Sequence, residues 1–346
     1  MWDQVLEKLS AGRDLSVEEI RFAMTAILKG EANETDMKNF LLGMKKKGER
    51  AEEVRTLVDV MYEHASLIDL RERAVDIVGT GGDGFNTINI STSAAIVTTA
   101  AGARVIKHGN RAASSASGAA DLLEELGVNI NLDAAGVSEC VRKIGIGFAY
   151  APKFHPAMRF AAPVRKALGV PTVFNILGPL ANPARPKAVA IGVARSEMFD
   201  LVAEVLAVRG SEGFVFRGLE GLDEISISGP SEVIQVFEGK VSRTLFDPRE
   251  IGIDPIPLDE IKGASAKENA LITGRVFAGK EGAAREAILL NAAAAIAAFK
   301  GDFRLPIETQ LANGYTFAKA AIDSGKASAL IQRWRDLSNE LAKSSL

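Results

Sequence analysis

The sequence predicts an α/β fold in which a small helical domain precedes a larger domain with a mainly parallel sheet covered by helices. The first 70 or so residues show helical periodicity and almost no strand pattern. After Arg73, short β-branched or apolar runs alternate with helical segments, which is typical of a parallel sheet between helices. We therefore expect a helical domain in residues 1–70 and an α/β domain in residues 71–346. A helical segment near residues 156–180 is expected to pack on the small domain.

Three amphipathic helices are predicted in the helical domain. Ser16 and Glu19 have capping-box spacing at the start of the first helix. Lysines 45 to 47 stand where cations favour the end of the second helix. Apolar residues recur every three or four positions, as expected for buried helix faces. They are Ile20, Ala23, Met24, Ile27 and Leu28, then Met37, Phe40, Leu41 and Met44, then Val54, Leu57, Val58 and Met61.

The larger domain is predicted to contain parallel strands followed by a hairpin. The segment EVIQVFEGKVSRTLF has the pattern of an antiparallel hairpin turning at Gly239, and the chain returns to helix from Leu311. In open α/β sheets, ligands bind beyond the carboxyl ends of the strands, so function is expected on the loops there. The predicted parallel strands are AVDIV, RVIKH, IGFAY, AVAIGV and GFVF.

The charge balance and composition restrict the partners of this chain. Lys plus Arg number 41 and Asp plus Glu 44, so the net charge is −3 and gives no global field for nucleic acid or an anionic membrane. We expect neither as a partner. The single cysteine, Cys140, allows no intramolecular disulfide, and the first residues lack the apolar core of a signal peptide. A cytoplasmic protein is expected, and the apolar run near 289–299 is interpreted as a buried helix.

A glycine-rich turn follows the first predicted strand. The run VGTGGDGFNTINISTSAAIVTTAAG contains a loop with four glycines, then Ser91 to Ser93 at the start of an apolar helix that stops at Gly102. Glycines let the backbone approach phosphate oxygens, and the free N–H groups of a helix start can bind them. The run matches neither G-x-G-x-x-G nor the P-loop, since no lysine precedes Ser91. It predicts a phosphate site, with a purely structural turn as the alternative.

A second loop of this kind, KHGNRAASSASG, follows the next strand. Lys107 and Arg111 are expected to bracket a phosphate. His108 is either a structural histidine or a catalytic one. Asn110 is either a ligand or a turn residue in the left-handed conformation. Two such loops on neighbouring strands predict a ligand with two anionic ends, such as a pyrophosphate or a sugar phosphate.

An acidic pair and an arginine complete the candidate residues. Asp223 and Glu224 are adjacent in the loop GLEGLDEIS. Mg²⁺ is typically held by one or two carboxylates plus substrate phosphates, to which Ser91 could add its hydroxyl. Arg165 lies in HPAMRFAAPVRKALG, where its guanidinium could hold a carboxylate through two hydrogen bonds. The alternatives are a solvated acidic pair and an ordinary surface arginine.

Taken in order, these motifs resemble those of the anthranilate phosphoribosyltransferases. The resemblance implies transfer of the phosphoribosyl group of phosphoribosyl pyrophosphate to the amine of anthranilate, with release of pyrophosphate, in the second step of tryptophan biosynthesis. It also implies an active site between the two domains and a homodimer formed through the helical part. The motifs are GTGGDG with Asn86, Ser91 and Thr92, then KHGNRAASS, then HPAMR, VRKALG and TVFNILGPLANP, then GLDEIS, and finally ENA and LLNAAAA.

The resemblance assigns residues to three ligands. Anthranilate is expected near Gly79, Asn110 and Arg165, with Arg165 facing its carboxylate. Mg²⁺, about two ions with one bridging the pyrophosphate, is expected on Ser91, Asp223 and Glu224. Lys107, His108 and Arg165 are expected to act by positioning and electrostatics, since an aniline nitrogen needs no strong base. Contacts with phosphoribosyl pyrophosphate are implied for Gly79, Gly82, Asp83, Thr87, Asn89, Ile90, Ser91, Thr92, Lys107, His108, Gly109, Asn110, Arg111, Ala112, Ala113, Ser114, Ser115 and Ala119.

Two segments depart from the family pattern. Arg217 and Gly218 stand where the family commonly has a His-Gly pair, and residues 262–265 replace a glycine-rich segment. Two other functions are kept as alternatives. One is a pyrimidine nucleoside phosphorylase of related architecture. The other is a non-catalytic nucleic-acid-binding relative, which the net charge of −3 disfavours.

Overall fold

A computed structural model describes residues 1–112 and 116–344, and the predicted α/β fold with a helical N-terminal part is confirmed. The N-terminal part contains four helices, one more than predicted. The additional helix, α1, fully buries only Val5 and Leu9, so its apolar face is too short to stand out as a periodic pattern. The capping box is confirmed: Glu19 donates its backbone N–H to the Ser16 hydroxyl, and its carboxylate accepts from the Ser16 N–H. The helices are α1 (Trp2–Ser10), α2 (Val17–Lys29), α3 (Glu34–Lys47) and α4 (Ala51–Glu63).

A seven-stranded sheet forms the centre of the rest of the chain. Its order is β3-β2-β1-β4-β5-β6-β7, and the first five strands of that order run parallel to one another. The last two pair antiparallel, which confirms the predicted hairpin at Gly239. The strands are β1 (Val75–Gly79), β2 (Val105–Gly109), β3 (Ile146–Tyr150), β4 (Ala188–Gly192), β5 (Glu212–Gly218), β6 (Ser231–Phe237) and β7 (Lys240–Phe246).

Helices cover the sheet, and the long apolar helix α13 is buried as expected. The helix predicted from Leu311 onward begins four residues earlier, at Ile307, directly after Pro306 at its N-cap position. None of the described helices is both long and apolar enough to cross a membrane. The helices are α5 (Ile90–Ala100), α6 (Ala119–Glu125), α7 (Ala134–Ile144), α8 (Ala151–Phe154), α9 (Ala162–Leu168), α10 (Phe174–Leu180), α11 (Ser196–Val208), α12 (Ala266–Phe277), α13 (Ala283–Lys300), α14 (Ile307–Asp323) and α15 (Lys326–Ser344), with short 3₁₀ helices at Pro156–Phe160, Pro248–Ile251 and Leu258–Ile261.

The segment near residues 156–180 packs on the N-terminal helices. Its 3₁₀ helix contacts α2, α9 contacts α3, and α10 contacts α4. On α4, the hydroxyl of Tyr62 donates to the carbonyl of Leu180 at 3.1 Å and accepts from Arg209 at 2.8 Å. One apolar cluster runs from the N-terminal helices through α10 and α11 to the sheet, so a domain boundary at residue 70 stays a prediction.

Candidate active site

The first glycine-rich loop joins β1 to α5, which begins at Ile90. Gly81, Gly82 and Gly84 have φ values of 68°, 77° and 80°, a region that glycine enters without strain. Gly79 is required for a different reason. A Cβ on Gly79 would lie 2.3 Å from the Oδ2 atom of Asp223, so only a residue without a side chain permits this approach.

The acidic pair lies directly against this loop and the start of α5. The carboxylate of Asp223 accepts a hydrogen bond from the Gly81 N–H at 2.6 Å. The carboxylate of Glu224 accepts one from the Ser91 N–H at 3.1 Å. The structure therefore brings together the two motifs that were predicted to share a metal and a phosphate.

Lys107 adds a cation to the same place. Its side chain is 1% exposed, and Nζ donates to the carbonyl of Ile77 at 2.6 Å and to the hydroxyl of Ser91 at 3.3 Å. Burial lowers the pKa of Lys107, while the neighbouring carboxylates of Asp76, Glu224 and Asp223 act in the opposite direction. A buried amine thus faces the helix start where an anion is expected.

The electrostatics of the acidic pair favour a bound cation. Burial and the nearby charge of Asp83 raise the pKa of Asp223 to about 7. Burial and the charge of Asp223 raise the pKa of Glu224 well above its ordinary range. Hard carboxylate oxygens suit Mg²⁺, so the side chains present fit this ion. Within the described ranges no three acidic, histidine or cysteine side chains are already grouped as a metal site, so substrate oxygens or water would have to complete the coordination.

The second loop is held by α6. Asp121 accepts hydrogen bonds from the N–H groups of Ala112 at 3.1 Å and Gly118 at 2.8 Å. The guanidinium of Arg111 pairs with Asp121 and Glu124, and so points towards α6. In this structure the guanidinium of Arg111 is turned to α6 and the amine of Lys107 to Ser91, so the bracketing of one phosphate by these two cations stays a prediction. Ala113, Ser114 and Ser115 lie outside the described residues.

The asparagine in the left-handed conformation is Asn86, not Asn110. Asn86 has φ 52°, whereas Asn110 has no positive φ. The side chain of Asn110 is exposed, and its Oδ1 atom accepts the N–H of Arg111 at 2.7 Å. The interpretation of Asn110 as a left-handed turn residue is therefore wrong. Within the described part of the chain, its side-chain nitrogen donates no hydrogen bond.

His108 does not share the environment of Lys107. Its Nδ1 atom donates to the carbonyl of Gly178 on α10 at 2.9 Å, and its ring centroid lies 5.3 Å from that of His155. Burial, with a smaller effect from His155, lowers the pKa of His108 to about 3. Successive residues of a strand point to opposite faces of the sheet, so the two side chains diverge. The imidazole of His108 therefore faces α10 and not Lys107, and its role in positioning and electrostatics stays a prediction.

Arg165 is half-buried and has no acidic partner within the described part of the chain. Its guanidinium lies over the ring of Phe174 at 5.9 Å, and burial lowers its pKa. Phe174 begins α10, the helix that also carries the carbonyl bonded to His108. The described contacts do not join Arg165 directly to the phosphate loops. A partly buried guanidinium that has no carboxylate partner in the protein can bind the carboxylate of a substrate.

Of the two segments that depart from the family pattern, one links two strands and the other supports the first loop. On β5, Arg217 pairs with Glu232 at 3.2 Å. Gly263 donates its N–H to the carbonyl of Asn86 at 2.7 Å. A Cβ on Gly263 would lie 2.4 Å from the carbonyl oxygen of Thr87, so glycine is needed at this one position of the replaced segment.

Two further residues near the site were not expected from the sequence. Asp76 in β1 is 1% exposed, and its carboxylate accepts from the side chain of Asn182 at 2.8 Å and the N–H of His108 at 3.2 Å. Burial raises the pKa of Asp76 to about 6. Gly192 ends β4, where a Cβ would lie 1.7 Å from the carbonyl oxygen of Asp223. The available signals were an acid inside an apolar strand and a glycine at a strand end.

Comparison with known proteins gives consistent matches along the whole chain. The model of the glycosyl transferase family helical bundle domain matches residues 3–65, and that of the glycosyl transferase family a/b domain matches residues 71–328. The chain is 51% identical to anthranilate phosphoribosyltransferase of Rhodococcus jostii (strain RHA1) over 343 residues, which is 99% of this chain and 95% of the relative.

Two solved structures are similar over nearly their full lengths. The crystal structure of anthranilate phosphoribosyltransferase from Thermus thermophilus superposes with a TM-score of 0.89 at 38% identity, covering 97% of this chain and 99% of that one. The Saccharomyces cerevisiae enzyme of that name, in complex with PRPP (phosphoribosyl pyrophosphate) and Mg, has a TM-score of 0.88 at 30% identity and covers 98% of each chain.

Proposed function

The chain belongs to the anthranilate phosphoribosyltransferase family, and we propose that the cluster formed by the first loop, Lys107, Asp223 and Glu224 is where it performs the family's reaction. The enzyme transfers the phosphoribosyl group of phosphoribosyl pyrophosphate to the amine of anthranilate and releases pyrophosphate, as a step in tryptophan biosynthesis. Its substrates are these two small molecules.

The observation that supports this site best is that three hydrogen-bond donors lie close to the acidic pair. The N–H groups of Gly81 and Ser91 and the amine of Lys107 converge where Asp223 and Glu224 lie. Backbone N–H groups at a helix start bind phosphate oxygens, and a lysine adds a full positive charge. We assign the pyrophosphate to this place and the remaining phosphate to the second loop.

The acidic pair would hold Mg²⁺ together with the hydroxyl of Ser91. Mg²⁺ at this site would neutralise the charge that develops on the departing pyrophosphate. The Saccharomyces cerevisiae relative contains Mg with its phosphoribosyl substrate. For this chain we propose about two ions, one of them bridging the pyrophosphate. Lys107 remains beside Ser91 and stabilises the same negative charge from the protein side.

Arg165 is proposed to orient anthranilate by its carboxylate, with Gly79 and Asn110 close to the ring. The amine of anthranilate is unprotonated at neutral pH, so its lone pair can attack the anomeric carbon without a general base. The N–C bond forms as the bond from that carbon to the pyrophosphate oxygen breaks, and the nitrogen then gives its extra proton to the released pyrophosphate or to water. The neutral His108, whose Nδ1–H is held by Gly178, has no proton-transfer role in this scheme. Catalysis then comes from holding both substrates in line and from stabilising the leaving group.

We also propose a cytoplasmic homodimer formed through the N-terminal helices. Support for the compartment is the single cysteine, Cys140, which is buried and leaves no disulfide to be formed. Support for the dimer is the family resemblance. Light scattering of the purified protein tests it: a mass of one chain contradicts the dimer. Substitutions confined to the exposed face of α1 to α4 that yield a monomer would assign the interface.

The function is tested by mixing the protein with anthranilate, phosphoribosyl pyrophosphate and Mg²⁺ and following anthranilate fluorescence. Fluorescence is expected to fall only when all three are present together with the protein. Uridine or thymidine with inorganic phosphate serves as the control for the phosphorylase alternative, and free base should not appear. Stable fluorescence in the complete mixture, with release of base in the control, would replace the proposed function by nucleoside phosphorolysis.

A further inference from the structure

Asn89 occupies the N-cap position of α5 but does not cap it. Asparagine is among the residues preferred at this position, where its side chain ordinarily accepts the N–H of the second or third helical residue. In α5 those residues are Ser91 and Thr92, and the Asn89 side chain makes no cap hydrogen bond. An N-cap bond would occupy the donors that the proposed pyrophosphate site requires.

The amide of Asn89 is used elsewhere. Its Oδ1 atom accepts from the side-chain nitrogen of Asn269 at 2.9 Å and from the hydroxyl of Ser117 at 3.0 Å. Its Nδ2 atom donates to the carbonyl of Ser117 at 2.9 Å. Both acceptor positions of Oδ1 are therefore filled by groups from other segments.

Asn269 is itself fixed in position. It lies in the first turn of α12, is 1% exposed, and accepts the N–H of Ala264 at 2.9 Å through its own Oδ1 atom. That acceptance orients its amide, so the nitrogen points at Asn89. The same stretch of chain holds the first loop, since Ile88 donates its N–H to the carbonyl of Ile261 at 2.9 Å. Asn269 thus connects α12, the first loop and, through Asn89, the second loop.

We propose that Asn269 is a positioning residue for phosphoribosyl pyrophosphate, because it holds the Asn89 amide away from the start of α5 and so keeps a cap bond off the N–H groups of Ser91 and Thr92. The Ser91 N–H donates to Glu224 in this structure, and phosphate takes it over when that carboxylate turns to the metal. Without Asn269, the Oδ1 atom of Asn89 loses a buried hydrogen-bond donor. The amide can then rotate and accept an N–H group at the start of α5 instead. The released amide then competes with the substrate. This inference rests on the proposed function, since it concerns the same phosphate site.

The test compares Asn269→Ala with the wild type in calorimetric titrations with phosphoribosyl pyrophosphate and Mg²⁺, and separately with anthranilate. We expect the dissociation constant for phosphoribosyl pyrophosphate to rise about tenfold, equal to about 1.4 kcal/mol, while that for anthranilate changes less than about twofold. Gln310→Ala is the matched control. Gln310 is a buried amide on α14, 3% exposed, bonded to Gln235 and Leu305, outside the site.

The control separates positioning from general destabilisation. Gln310→Ala is expected to lower the melting temperature and to leave both dissociation constants unchanged. If Gln310→Ala raises the dissociation constant for phosphoribosyl pyrophosphate as much as Asn269→Ala does, the role assigned to Asn269 is overturned. If the wild type does not bind phosphoribosyl pyrophosphate, the proposed function is contradicted. If the wild type binds it and Asn269→Ala binds it equally tightly, only this inference is contradicted.

Asn89→Ala tests whether Asn269 acts through Asn89. An alanine at position 89 has no amide to rotate onto α5, so adding Asn269→Ala to it should cause little further loss of affinity. Equal losses from Asn269→Ala in both backgrounds would overturn the inference. Ser117→Ala removes the other donor to Asn89 and should raise the dissociation constant about threefold, which keeps the idea testable if Asn269→Ala does not fold. An unchanged constant in Ser117→Ala would count against it.

Discussion

Glu224 accepts a hydrogen bond from the backbone N–H of Ser91 at 3.1 Å, although the two residues are 133 positions apart in the chain. Asp223 makes the equivalent contact with Gly81. Carboxylates therefore occupy the donors that we assign to the pyrophosphate. Because phosphate and carboxylate cannot share these donors at short range, we expect the carboxylates to turn to the metal when the substrate arrives, so metal and substrate should bind together.

Replacing the acidic pair should make activity far more dependent on Mg²⁺ concentration. We expect Asp223→Asn with Glu224→Gln to lower kcat at limiting Mg²⁺ by about 100-fold or more, since the ion loses its charged protein ligands. Anthranilate binding should change less than about twofold, because the amides keep the shape of the loop. The measurement is a Mg²⁺ titration of turnover, with anthranilate affinity determined in parallel.

A matched pair on α15 controls for charge. Asp336→Asn with Glu340→Gln removes the same two charges from an exposed helix surface and should leave the Mg²⁺ dependence unchanged. Activity of the Asp223 and Glu224 double variant equal to wild type at low Mg²⁺ would remove these residues from the metal site.

Arg165 should matter only when the acceptor carries a carboxylate. Arg165→Gln is expected to raise KM for anthranilate by about 10- to 100-fold, the value of one or two hydrogen bonds to a charged group. With aniline as the acceptor, wild type and variant should be equal, because no carboxylate is lost. Initial rates with the two acceptors give the comparison, and Lys166→Gln, on the exposed side of α9, serves as the control. The same loss with aniline would mean that Arg165 supports the fold and not the substrate.

Gly79→Ala should displace the metal-binding carboxylate. The added methyl group would stand 2.3 Å from Oδ2 of Asp223, so the carboxylate must move out of its contact with Gly81. We expect kcat to fall at least about tenfold, equal to about 1.4 kcal/mol of lost transition-state stabilisation, with a higher Mg²⁺ requirement. Gly274→Ala in α12, where the methyl group meets nothing within 4 Å, should keep full activity. Wild-type kinetics in Gly79→Ala would show that this close approach is not needed.

His108 should make the fold sensitive to mild acid. Its folded-state pKa is about 3, whereas an imidazole in water has a pKa of about 6.5. Between these values the unfolded chain binds a proton that the folded chain does not, so the free energy of unfolding falls as the pH drops below about 6.5. For this one group the loss at pH 5 is about 2 kcal/mol.

The comparison is His108→Gln against wild type, by denaturant unfolding at pH 7.5 and pH 5. The difference in unfolding free energy between the two pH values should be smaller in the variant by about 2 kcal/mol. Asp76, whose pKa is raised to about 6 by burial, acts in the opposite direction below that pH, and it is common to both proteins. An unchanged difference would mean that the imidazole at position 108 is not buried in its neutral form.

Local signals explain how much of the fold could be predicted. Four of the five parallel strands, β1, β2, β4 and β5, were recognisable because short apolar runs end at a glycine. Helix α2 was recognisable because Ser16 and Glu19 satisfy the first helical N–H groups within four residues. The hairpin at Gly239 depended on a similar short-range pattern. In contrast, α1 has so few buried positions that its periodicity was not distinctive.

The candidate site was predictable in its residue types but not in its pairings. Glycines and hydroxyls at the start of α5 indicated phosphate binding. The sequence does not indicate which carboxylate forms the ion pair with Arg111. It pairs with Glu124 and Asp121 on the helix that follows its own loop. The hydrogen bond between Asn89 and Asn269 joins residues 180 positions apart, and it produces no periodic pattern in the sequence. Such pairings are decided by tertiary packing and become visible only in the folded chain.

The long sequence separation of these contacts also affects the order of events during synthesis. The first loop leaves the ribosome well before Asp223, Glu224 and Asn269 have been translated. Contacts between such distant residues close late, because a long loop must first lose its conformational freedom. A growing chain thus displays its glycine turn without the carboxylates or the Asn269 amide that complete the site. The site is therefore complete only after translation has passed Asn269.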